Sequence, residues 1–164
     1  MLQIFKTQED KSLKELSIQE FEPGSWFNLI KPTADEIKEV AQALNIEADF
    51  LRDSLDSEER SRIEIDDDKL LIITNIPMME DENSFDTLPL GIIMTPQNMA
   101  TVSLKENRII SFFNQDTAKL FNTADKTKFM FQILFRSTKF YLRYLEHILS
   151  LIHISEPTRP ISIS

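Results

Sequence analysis

Cysteine is absent from these 164 residues, and glycine occurs only twice, at Gly24 and Gly91. Without cysteine there are no disulfides, thiolate metal sites or thiol nucleophiles, a composition that fits a reducing compartment. Two isolated glycines cannot build a Gly-rich phosphate loop of the dinucleotide or P-loop kind. Histidine is scarce as well, with His147 and His153 alone, so Ser-His-Asp catalysis and histidine-rich zinc sites have too little to work with. His147 stands beside Glu146 in a helical pattern and reads as a solvated surface residue. Long apolar runs are missing too. Stretches such as Leu70 to Ile73 or Ile133 to Phe135 fall far short of the roughly 20 residues that a membrane span needs. The N-terminus, MLQIFKTQEDKSLKEL, has no apolar run behind a basic start and does not read as a signal peptide. The sequence as given reads as that of a soluble chain.

What is abundant is acid. There are 27 Asp and Glu against 18 Lys and Arg, a net charge of -9. Such a balance argues against nucleic acid, whose phosphates need a basic surface, and is compatible with binding cations. The length suits one domain with a substantial core.

Pattern supplies the elements. Leu2 to Phe5 and Leu13 to Ile18 predict a hairpin, and Trp26 to Ile30 a third strand after the Pro23-Gly24 turn. Thr33 with Glu36 three residues later is a capping box opening a helix, which Ile37, Val40, Ala41 and Leu44 mark as buried on one face. A second helix spans Glu47 to Leu55, with Phe50, Leu51 and Leu55 inward. Arg62 to Ile65 and Lys69 to Ile76 are strands across an Asp66-Asp67-Asp68 turn. Met79 to Asp86 reads as a polar loop, and Leu88 to Met94 with Met99 to Leu104 as another hairpin. A short helix begins at Asp116 and a long one covers Asp125 to Ile148. This order predicts an α/β fold: a mixed β-sheet flanked by helices, ending in a long helix. On that helix Met130, Ile133, Leu134, Tyr141, Leu145 and Ile148 form an apolar stripe that Phe131, Phe135 and Leu142 widen. Either the sheet buries all of it, or a further helix or subunit shares it.

Carboxylates are the remaining chemistry. Asp53, Asp56, Glu58 and Glu59 are close in sequence, but general acid–base work also needs a pocket that raises one pKa. Nothing marks one, and the group reads as the solvated acidic end of a helix. Glu80, Asp81, Glu82 and Asp86 form one cluster that could bind a hard cation, and Asp66 to Asp68 another. Mg²⁺ takes one or two carboxylates and keeps several waters, so such a site leaves no spacing motif. Neither cluster has EF-hand spacing.

The segment LRDSLDSEERSRIEIDDDKLLIITNIP, Leu51 to Pro77, resembles the soluble domain of the CorA family of divalent-cation transporters. The resemblance runs from about Trp26 to Ile148, through Pro32 and its capped helix, the strands PLGIIMT and MATVSL, and the aromatic helix KFMFQILFRSTKFYLRYLEHI. Ser61 departs from it, since proline is common before the Arg-Ile-Glu. The resemblance implies an N-terminal cytoplasmic α/β/α domain over residues 1–148, followed in family members by a stalk helix and two membrane helices in a homopentamer. It places the full-length protein in the cell membrane with this domain on the cytoplasmic side. The family's pore triplet, Gly-Met-Asn, does not occur in this sequence, which excludes transport by this chain alone and implies sensing and gating without catalysis. It further implies a regulatory Mg²⁺ ion held between neighbouring subunits, with Glu80 or Asp81 as one ligand and a stalk carboxylate beyond Ile148 as the other. The alternative is a free-standing soluble α/β domain whose acidic surface docks a protein partner.

Leu149 to Arg159, LSLIHISEPTR, resembles the translation of a transposase-type sequencing adapter. Residues 149–164, His153 included, are accordingly expected to be a non-native tail.

Overall fold

A computed structural model describes residues 1–82 and 84–155. Seven strands form one mixed sheet: β1 (Leu2–Thr7), β2 (Leu13–Leu16), β3 (Trp26–Ile30), β4 (Arg62–Asp66), β5 (Lys69–Asp81), β6 (Ser84–Met94) and β7 (Met99–Ser103). Their spatial order is β2-β1-β3-β7-β6-β5-β4, with β3 and β7 parallel and every other neighbour antiparallel. Helices α1 (Ala34–Leu44) and α2 (Ala48–Asp53) follow β3. After β7 come a short α3 (Arg108–Ser111), a 3-10 turn (Gln115–Leu120) and the long α4 (Lys126–Ser155).

Alternation along the strands sorts side chains onto two faces. Phe27, Leu29, Leu71, Ile73, Ile93, Ala100 and Val102 pack against Ile37, Val40, Leu44, Phe50 and Leu51 of α1 and α2. Trp26, Ile72, Ile76, Leu90, Ile92 and Met99 pack instead against Ile109, Ile110, Phe113, Phe121, Phe129 and Ile133. The expected sheet flanked by helices is therefore two cores on one sheet. Trp26 anchors the second core, its ring edge-on to Phe129 at 4.9 Å.

Local signals act as expected at α1. Thr33 caps the helix, accepting from the Glu36 N–H while the Glu36 carboxylate accepts from the Thr33 N–H. The helix ends at Asn45 in the left-handed conformation, φ 52°. Two readings need correction. Arg108–Ser111, not anticipated, forms a turn of helix because the buried Asn107 side chain accepts from the Ile110 N–H. The polar loop expected at Met79 to Asp86 is strand at both ends, with Pro77 opposite Thr87, Met78 opposite Asp86 and Met79 opposite Phe85. Backbone pairing continues outward beyond the buried core, where the polar side chains of Glu80, Asp81 and Asp86 stay in water.

Among the described residues, only the first half of the long helix fully buries side chains against the sheet. Phe129, Met130, Ile133 and Ser137 are buried, whereas Phe131, Phe135, Leu142 and Leu145 are exposed, Phe135 by 61%. Of the two ways to cover the stripe, the sheet alone does not suffice. On the same side of the sheet the edge strand β4 exposes Ile63 by 69% and Ile65 by 74%. Helix α4 continues through residues 149–155, and the rest of the expected tail, residues 156–164, lies outside the described residues.

Candidate functional site

The β5–β6 hairpin carries the carboxylates singled out from the sequence. Its inner part is core, with Ile73, Ile76, Leu88 and Leu90 buried, while Glu80, Asp81, Glu82 and Asp86 at the far end are exposed. The pairing shifts register between Met79 and Asp81, so Glu80 is the extra residue of a β-bulge. A bulge re-aims side chains at a strand end. Glu80 and Asp81 thus stand at the tip of a strand rather than in an irregular loop.

Glu80 Oε1 lies 3.6 Å from Lys105 Nζ, an ion pair with both partners more than half exposed and hence weak. Asp86 Oδ1 accepts from the Thr87 N–H at 2.7 Å. The Glu82 carbonyl oxygen is 3.0 Å from His147 Nε2 on α4. Adjacent oxygen donors at an exposed bulge suit a hydrated hard cation, which asks for one or two carboxylates. Among the described residues no three Asp, Glu or His side chains converge as a closed metal cage. The fit is to a partial site, with Lys105 competing for Glu80.

Several of the other acidic groups have local roles. Asp67, at φ 52°, makes the tight β4–β5 turn, and Asp68 pairs with Lys69 at 3.7 Å. Asp53 and Glu59 are not the solvated helix end expected from the sequence. Both bind the Arg62 guanidinium, Asp53 Oδ2 at 2.9 Å, with Glu64 at 3.4 Å. Burial, then the nearby Glu59 charge, pushes the Asp53 carboxyl above its ordinary range, with Arg62 opposing. The Glu59 hydrogen bond in turn raises Arg62. Arg62 is the organising residue of that cluster, and the strand position it occupies gave no sequence signal beyond its place in Arg-Ile-Glu.

His147 is exposed, as expected, yet it is also engaged, its ring 5.6 Å from that of Phe85 on β6. Phe85, an aromatic alone in a polar stretch, was the available signal that this region is not a free loop. A shallow groove of about 330 Å³ runs between the hairpin and α4, lined by Pro77, Phe85, Thr87, Tyr141, Leu145 and Ile148. No helix among the described residues is long and apolar enough to cross a membrane.

The model of the family described as CorA-like Mg²⁺ transporter protein matches residues 22–157. The chain belongs to that family. Its fold is similar to part of the complete CorA magnesium transporter from Methanocaldococcus jannaschii, with a TM-score of 0.77 at 22% identity. That match covers 95% of this chain and 49% of the transporter, so the CorA-like chain spans about half its length. The separate soluble domain of the same CorA aligns over 96% of this chain and 63% of its own, with a TM-score of 0.74 and 20% identity. The ZntB cytoplasmic domain from Vibrio parahaemolyticus is also similar, with a TM-score of 0.65 and 17% identity over 90% of this chain and 63% of that one. No curated protein sequence matches this one. At such identities the structural likenesses establish the fold, the soluble domain of a CorA-like protein. The family is one of transporters rather than enzymes.

Proposed function

We propose that this chain is the sensing and gating portion of a CorA-like transporter for magnesium or another divalent cation. It works on the cytoplasmic side of the membrane, in a homopentamer whose pore lies outside this sequence. The observation that carries this reading is the family match over residues 22–157, on a fold whose hairpin tip presents Glu80 and Asp81 to solvent. Mg²⁺ is the regulatory ion in this reading, and a ligand from a neighbouring subunit completes the partial site. No catalytic role is proposed.

The energetic logic is linkage. A cation bound more tightly by the closed arrangement shifts the population toward closed, by as much as its differential affinity allows. The exposed apolar faces of α4 and β4 support oligomerisation, because a monomer rarely leaves so much apolar surface in water. The same faces would serve the alternative, a free-standing domain docking a protein partner.

The test is made in the longer protein, with Glu80→Ala and Asp81→Ala combined. Cation flux is expected to become less sensitive to cytoplasmic Mg²⁺ than in the unsubstituted protein. An unchanged Mg²⁺ response would remove both residues from the site.

A further inference from the structure

Past Thr138, most of α4 is exposed, and so is the hairpin beyond Met78. Phe140 still packs on the core, but two parts exposed to this extent would ordinarily move independently. Here they are tied to each other. Tyr141 Oη donates to the Asn75 carbonyl at 2.6 Å, near where the hairpin leaves the core. Further out, the Phe85 ring sits 5.4 Å from that of Tyr144 and 5.6 Å from that of His147. At the very tip His147 Nε2 meets the Glu82 carbonyl at 3.0 Å, donating when that nitrogen carries the proton. Tyr141, Tyr144 and His147 recur at helical spacing, so one edge of α4 runs along the hairpin from base to tip.

We infer that Phe85, Tyr144 and His147 form a clasp that makes the hairpin tip and the second half of α4 one mechanical unit. Phe85 is the positioning residue, because its ring is the one both helix side chains touch. The two hydrogen bonds accept at backbone carbonyls, so they follow the position of the strand itself. Glu82 directly follows Asp81, and the peptide joining them leaves only about 3.8 Å between their Cα atoms. A displacement of Asp81 therefore reaches His147 with little slack, and a helix passes it along its axis. That the displacement comes from a cation rests on the function proposed above. The clasp itself does not.

Hydrogen exchange of this chain tests the clasp with no cation present. Phe85→Ala is expected to speed exchange of the hairpin tip and of α4 beyond Thr138 by roughly tenfold, the upper worth of an aromatic pair. Exchange in β3 and β7 stays unchanged, and His147→Ala gives the same regional pattern more weakly. Unchanged exchange in α4 for both variants overturns the clasp. Acceleration everywhere, β3 and β7 included, also overturns it, by making Phe85 a core residue.

A second arm adds magnesium chloride and follows the amides of Asp81 and of α4 by NMR. In the unsubstituted chain both sets are expected to shift with one midpoint, and Phe85→Ala is expected to abolish the α4 shifts alone. If Asp81 shifts and α4 does not, the coupling is overturned. If Mg²⁺ moves neither while Phe85→Ala still loosens α4, the cation reading falls and the clasp stands.

Discussion

Ser54 fills the place where a side chain on Gly91 would stand. A Cβ built on Gly91 of β6 would lie 1.9 Å from Ser54 Oγ and 2.4 Å from Ser54 Cβ, at the end of α2. Ser54 is fully buried, and its hydroxyl donates back to the Phe50 carbonyl at 3.0 Å. The glycine therefore serves close approach of helix to sheet. Gly91→Ala is expected to destabilise the domain by about 1–3 kcal/mol through overpacking. Pairing it with Ser54→Gly should recover part of the loss, which urea titration of the single and double variants would reveal. Equal losses in both would show that another contact limits this site.

The core on the α4 side depends on one hydroxyl. Thr101 Oγ1 accepts from Trp26 Nε1 at 2.9 Å and donates to Asn28 Oδ1 at 3.2 Å, in a buried chain of side chains. Thr101→Val keeps the shape and orphans the indole N–H. The expected cost is about 1–3 kcal/mol, read from the denaturant midpoint.

Two carboxylates should respond to acid in opposite directions. Glu36 is held below its ordinary 4.5, first by the Thr33 N–H and then by the N-terminal amine, against the opposing effect of burial. Its contribution is complete above the unfolded pKa and is lost as pH falls through the folded one. Asp53 is raised above 3.8, chiefly by burial. Its ionised form costs stability at neutral pH, and the cost is relieved as pH falls through that raised value. Glu36→Gln is thus expected to lose roughly 0.5–1 kcal/mol at pH 7 and to flatten the acid limb of the stability curve. Asp53→Asn should leave stability at pH 7 unchanged or higher. Thermal melts between pH 3 and 7 separate the two, and a clear loss for Asp53→Asn would reverse the sign argued here.

The reading frame after the codon for Ile148 is open to direct test. Genomic sequence across it is expected to depart from LSLIHISEPTR and to continue through a long charged helix to two apolar spans with Gly-Met-Asn between them. A genomic frame that encodes LSLIHISEPTR and then stops would favour the free-standing domain.

Short-range information decided most of the architecture. The capping box at Thr33 and Glu36, the β4–β5 turn at Asp66 to Asp68, and the alternation in Leu2 to Phe5 and Leu13 to Ile18 were all readable. Each depends on hydrogen bonds or side-chain periodicity within a few residues, which is what a sequence displays. The absence of cysteine, the lone glycines and the acid excess set the classes of chemistry available before any fold was known.

Tertiary structure decided what those residues meet. The charge pattern alone does not show that Arg62 gathers Asp53 together with its near neighbours Glu59 and Glu64, because the loop must fold back to bring the helix end to the strand. The hairpin tip read as a loop because its side chains are polar, yet backbone pairing opposite Phe85 extends it and α4 steadies it. Gly91 looked like an ordinary strand residue until α2 was laid across it. The last two outcomes depend on contacts between residues far apart in the chain, whose partners are fixed only when the sheet order and the helix layers assemble.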